Sequence, residues 1–110
     1  MIETELIRFL NDHSLPAYLE HEENMPQEYV IVEKIGGSET DHVPSAILAL
    51  QSYSSTLLGA AELNERLKQL MKSFAELDTI CRVALNSDYN YTDTETKQYR
   101  YQAVYEIKYY

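Results

Sequence analysis

The chain has no tryptophan, one cysteine, and only three glycines and three prolines. With a single cysteine, Cys81, no intrachain disulfide can form. Cys81 lies between Ile80 and Arg82 in an apolar-leaning stretch, which predicts a buried structural thiol rather than a nucleophile. Without tryptophan, the two phenylalanines and ten tyrosines must supply the aromatic packing. No apolar run approaches the roughly 20 residues needed to span a bilayer. The opening MIETELIRFLNDH is too acidic and too short for a signal peptide, so the expected place of action is the cytoplasm or an assembly built there.

Positive charge is also scarce. Nine Lys and Arg face 18 Asp and Glu, a formal net charge of -9. Such a chain repels phosphate backbones and anionic lipid. The nine bases are scattered, so no basic patch offsets that repulsion. Sequence-specific nucleic-acid binding and membrane binding are therefore not expected. From Met1 to Asp41 there are ten acids against Arg8 and Lys34. That excess serves solubility or docking to a basic partner surface.

What is present fits one domain: 110 residues, 45% of them hydrophobic, enough for a modest core without staples. Ile2, Leu6, Phe9 and Leu10 predict a helix from Ile2 to Asn11, and Leu15-Pro16 ends it. AYLEHE alternates and predicts a short strand over 17–22. YVIVEKIGG predicts a second strand, ended by Gly36-Gly37, and SETDHVP a polar loop. Ser45 to Ser54 has the length and apolar density of a central strand. Ser54, Ser55 and Thr56 are candidate N-caps. The main helix follows over 57–77, with an apolar stripe of Ala60, Leu63, Leu67, Leu70, Phe74 and Leu77. Ile80 to about Tyr91 and Tyr99 to Tyr109 predict a long hairpin around the turn TDTETK. The fold class is α+β: a single mixed or antiparallel sheet with two helices packed on one face.

The search for chemistry returns little. His13, His21 and His42 lie in or beside polar segments without metal-ligand spacing. Gly36-Gly37-Ser38 is followed by Glu39 and Asp41, which would repel a phosphate, so a turn is expected there. Asp88, Asp93 and Glu95 do not match a calcium loop. Glu20, Glu22 and Glu23 have the makings of an acid/base pair, but three such charges ordinarily form a solvated acidic surface. No nucleophile motif appears. The expectation is a binding protein without catalytic residues, metal or cofactor.

The tyrosines point to binding. Seven of ten fall in the last 22 residues. Alternation puts Tyr99, Tyr101, Tyr105 and Tyr109 on one sheet face. These residues, with Tyr89 and Tyr91, are candidates for an interface, since tyrosine joins a large apolar ring to a polar tip. The competing expectation is that the rings pack beneath the helices, and both can hold.

Nearly the whole chain resembles the minor tail-component and tail terminator proteins of long-tailed bacteriophages and prophages, especially those of Gram-positive hosts. The resemblance is carried by the N-terminal helix, AYLEHE, YVIVEKIGG, ILALQSYS, the helix GAAELNERLKQLM and the hairpin ending RYQAVYEIKYY. It implies a structural virion protein. Such a protein forms a homo-oligomeric ring, usually a hexamer, at the head-proximal end of the tail tube. It ends tube polymerisation and meets the head completion protein. The tail tube protein, the head completion protein and further copies of the chain are the implied partners. Assembly would occur in the bacterial host cytoplasm. The resemblance carries no catalytic motif. It places ring and tube contacts at Gly36 and Gly37, along the main helix and on the final hairpin. A head–tail connector shares its size, and an acidic adaptor or inhibitor is the alternative of a different class.

Overall fold

Helix α1 spans Ile2–Asp12 and buries Ile2, Leu6 and Leu10, one residue per turn on one side. A computed structural model describes all residues 1–110. Strand β1 is Ala17–Tyr18, β2 Tyr29–Thr40 and β3 Val43–Ser54. Helix α2 runs over Leu57–Phe74, β4 over Ile80–Asn90 and β5 over Tyr99–Tyr109. The strands form one sheet in the order β1-β2-β3-β5-β4. The β1–β2 pair is parallel and the other three are antiparallel. β3 is therefore the central strand. The fold class is the expected one, α+β with a mixed sheet and both helices against it.

One core joins the layers. Val30 and Val32 of β2, Leu48 and Leu50 of β3, and Ala103, Tyr105 and Ile107 of β5 face Leu6 and Leu10 of α1 and Leu63, Leu67, Met71 and Phe74 of α2. α1 lies over β1 and β2, and α2 over β3, β5 and β4. The start of α2 is set by Thr56, whose hydroxyl accepts from the Gly59 amide at 3.0 Å. That satisfies one of the otherwise orphaned amides of the first turn. No helix is long and apolar enough to cross a membrane.

Several sequence expectations are corrected. AYLEHE yields only the two residues Ala17 and Tyr18 as strand. The chain then leaves the sheet, carrying Glu20, Glu22 and Glu23 into solvent. His21 turns back over the sheet, 5.7 Å from the Tyr29 ring and 5.0 Å from the Tyr53 ring. Gly36-Gly37 does not end β2. Neither glycine has a positive φ, and the strand runs on to Thr40 through a bulge at Ile35. Gly37 is needed for close approach: a Cβ there would lie 3.0 Å from the Ser45 carbonyl oxygen and 3.1 Å from Lys34 Cε.

The predicted polar loop SETDHVP is instead mostly strand. The reversal takes two residues, Asp41 and His42, with φ of 51° and 65°, the sign a type I′ hairpin turn requires at both positions. α2 ends at Phe74 rather than Leu77, and Leu77 is exposed. Met71, outside the expected stripe, is buried. Cys81 is exposed, not buried. It is the extra residue of a bulge between Ile80 and Arg82, so it leaves the alternation that would have turned it inward.

Candidate interaction surface

The helices cover one face of the sheet and leave the other open. Alternation along β2, β3 and β5 assigns the residues of the open face, and register aligns them in rows across the strands. Tyr29 pairs with Tyr53, and Tyr53 with Arg100. The Tyr91 amide donates to the Arg100 carbonyl at 2.9 Å, extending the row to the far edge. Tyr29 and Tyr53 stack with centroids 5.0 Å apart and planes at 13°. The Arg100 guanidinium lies 5.6 Å from the Tyr53 centroid and 4.6 Å from the Tyr91 centroid, a cation held between two π faces. It donates to the Tyr53 hydroxyl at 3.0 Å and to the Tyr91 carbonyl at 2.8 Å. Burial, then the neighbouring Tyr53, pushes the Tyr29 hydroxyl above its ordinary pKa.

The next row is Ile31, Gln51, Gln102 and Tyr89. Gln51 Nε2 donates to Gln102 Oε1 at 2.8 Å, and Gln102 donates to the Tyr89 hydroxyl. The polar tips of these two rows thus largely satisfy one another, leaving an ordered aromatic and amide surface. At the opposite end of the sheet the row is Ser38, Ser45, Lys108 and Arg82. Both ion pairs of the chain use Lys68, so Arg82 and Lys108 have no carboxylate partner.

A second feature lies between α2 and β4. It is an open groove of about 530 Å³ with Met71, Ala75, Val83, Leu85 and Tyr105 along it and Lys72 at its rim. One end is closed by polar contacts. Asn64 Nδ2 donates to Asp88 Oδ1 at 2.6 Å, and Lys68 bridges Asp88 Oδ2 and Glu65 Oε1. Hydrogen bonds to Asp88 first, then to Glu65, hold the Lys68 ammonium above its ordinary pKa against the cost of burial.

Burial pushes the Tyr105 hydroxyl up from 10.0 to about 12. The folded chain therefore keeps a proton that the unfolded chain releases. Stability from this group is complete below pH about 10 and is lost as pH rises toward 12. Tyr105→Phe removes the ionisable group, so its unfolding free energy should fall less between pH 10 and 12 than that of the wild type. Urea titrations across that range measure the difference, and equal slopes would show that Tyr105 does not contribute.

The third feature is the pair of sheet edges. β1 pairs with β2 only at Val30 and Ile31, so the outer side of β2 from Val32 to Thr40 has no partner strand. β4 pairs only with β5, so its outer side is free along its length. Apolar side chains stand out at both edges: Ile35 on β2 is 53% exposed and Leu85 on β4 is 47% exposed. Unpaired edges are templates for adding a further strand.

The residues singled out in the sequence are distributed unequally among these features. Tyr89 and Tyr91 belong to the open face at the β4 edge. Tyr99, Tyr101, Tyr105 and Tyr109 occupy the opposite, helix-covered face. There Tyr105 is core, Tyr109 packs against it, and Tyr99 and Tyr101 are half-buried. Gly36 and Gly37 lie at the other end of the sheet from Tyr91 and do not meet the tyrosines. Glu20, Glu22 and Glu23 are exposed in the segment that crosses toward Tyr53. Sequence reasoning missed Ile35, Leu85, Arg100, Gln51 and Gln102. An isolated apolar residue between Lys34 and Gly36 was the available signal for Ile35. No group of three His, Cys, Asp or Glu side chains converges as metal ligands. Asp93 instead binds the Thr96 side chain and the Glu95 and Thr96 amides, which lowers its pKa. Neither a protein-family model nor a curated protein matches the chain.

Proposed function

We propose that this chain is a structural assembly protein that forms a homo-oligomeric ring at the head-proximal end of a phage tail tube. There it ends tube polymerisation and joins tail to head. The observation that carries the reading is the sheet with two free and unlike edges on opposite sides of the molecule. Contact between unlike edges is heterologous, and a heterologous contact that closes on itself gives a ring. The layout of helices and strands described for the tail terminator resemblance adds the setting. The partners are then other copies of the chain, the tail tube protein and the head completion protein. Assembly takes place in the bacterial host cytoplasm, and the product is carried in the virion tail. A head–tail connector would use the same ring geometry against a different neighbour. An acidic adaptor or inhibitor is the reading favoured by the exposed Glu20, Glu22 and Glu23.

The test is polymerisation of tail tube protein with and without the purified chain, followed by electron microscopy. The expected result is shorter tubes with density from this chain at one end only. Tubes of unchanged length with no bound chain would overturn the terminator role. A stable ring that binds head completion protein but not tube protein would reassign the chain as a connector.

A further inference from the structure

We infer that the free edge of β2 in one copy docks antiparallel onto the free edge of β4 in a second copy, with Ile35 seated in the groove between α2 and β4. The inference rests on the proposed self-assembly and adds the contact that produces it.

Strand direction permits the contact. β2 is antiparallel to β3, β3 to β5, and β5 to β4, so β2 and β4 run in opposite senses. Rotation of a second copy about an axis along the strands brings β4 of one copy beside β2 of the next. The new pair is antiparallel, like its neighbours within the chain. Main-chain bonds then give affinity, and side-chain pockets give specificity.

Register places the knob at the hole. Across the sheet, Lys34 is level with Leu48, Tyr105 and Leu85, and Gly37 with Ala46, Ile107 and Val83. Ile35 is the extra residue between Lys34 and Gly36. It therefore lies at the height of Leu85 and Val83, which line the groove together with Met71 and Ala75. The most exposed apolar residue of one edge meets the apolar cleft beside the other.

Charge selects the unlike pairing. The outer part of β2 and its turn carry Glu33, Glu39 and Asp41 against one base, Lys34. Two β2 edges brought together would oppose these acids. At the same height as Ser38, the β4 side presents Arg82 and Lys108, both without an ion pair of their own. Lys72 stands at the groove rim. An acidic strand end thus meets a basic one.

The test uses full-length chains carrying Ile35→Asp or Leu85→Asp, with mass followed by light scattering over a range of concentration. Both positions are about half exposed, and far-UV circular dichroism checks that each variant is folded. The expected result is wild type that self-associates and single variants that are monomeric. An equimolar mixture of the two variants then forms a one-to-one heterodimer and nothing larger, because one variant keeps an intact β4 groove and the other an intact β2 edge. Arg82→Glu, on the surface, serves if Leu85→Asp fails to fold, and should weaken self-association severalfold. Self-association that survives Ile35→Asp overturns this contact while leaving ring formation standing. Loss with Leu85→Asp alone does so too, and indicates a β4–β4 contact. Wild type that is monomeric alone and with tube protein overturns the proposed function and this contact together.

Discussion

Phe74→Ala should lower the unfolding free energy by about 3–5 kcal/mol, a large share of the 5–15 kcal/mol typical of a domain. Phe74 is 1% exposed and is the largest of the fully buried side chains. It is the last residue of α2, and its ring meets Phe9 of α1 edge-on, with centroids 5.2 Å apart and planes at 61°. Truncation removes the transfer free energy of the ring and leaves a cavity that a helix end can only partly close. It also loosens α1. An 11-residue helix is marginal in isolation, and α1 depends on its seat over β1, β2 and α2. Amide exchange should therefore accelerate in α1 more than in β3 or β5. Phe9→Ala should cost less, because Phe9 is only partly buried. Urea denaturation gives the free energies, and a cost below about 1 kcal/mol for Phe74→Ala would contradict the joint described here.

The contrast between α2 and the β2–β3 hairpin shows where the fold was legible. Leu63, Leu67 and Phe74 recur at helical spacing, and Tyr99 to Tyr109 alternates strictly, so local pattern was enough for both elements. The hairpin turn was hidden because Asp41-His42 contains no glycine, while Gly36-Gly37 supplies an obvious but false stop. A bulge defeats period-two reasoning by inserting one residue, as at Ile35 and Cys81. Leu77 continues the apolar spacing of α2 past the point where the helix ends at Phe74, so spacing alone does not mark the helix end.

The surface was less legible than the fold. The row of Tyr29, Tyr53, Arg100 and Tyr91 joins three strands and the residue after β4, and its members become neighbours only once the order β2-β3-β5-β4 is known. The tyrosine alternation in β5 is plain in the sequence. Which face the helices would cover was not decidable from β5 alone, since either face of that strand carries bulky residues. Ile35 and Leu85 acquire meaning only from the two free edges, which the strand order of the sheet creates.

Asp88→Ala should cost about 1–3 kcal/mol, the usual penalty for stranding a buried donor. Asn64 is 1% exposed, and its Oδ1 already has no hydrogen-bond partner. Its Nδ2 relies on Asp88 Oδ1 at 2.6 Å. Without that carboxylate the whole amide is left unpaired between α2 and β4. Lys68 loses the partner that does most to raise its pKa and keeps only exposed Glu65. Asp88→Asn should be milder, because the amide oxygen can still accept from Asn64. Asn64→Leu in the Asp88→Ala background should recover part of the loss, since it removes the group that needs pairing. The two substitutions should thus be non-additive by about 1 kcal/mol in a double-mutant cycle. Equal costs for Asp88→Ala and Asp88→Asn would mean that the hydrogen bond to Asn64 contributes nothing. The alkaline limb supplies a second check. The raised Lys68 pKa stabilises the fold fully below pH about 10.5, and this is lost as pH rises through the folded value. Asp88→Ala should therefore show a shallower decline there than wild type. Because Asp88 and Lys68 close one end of the groove proposed to receive Ile35, the same variant should also weaken self-association.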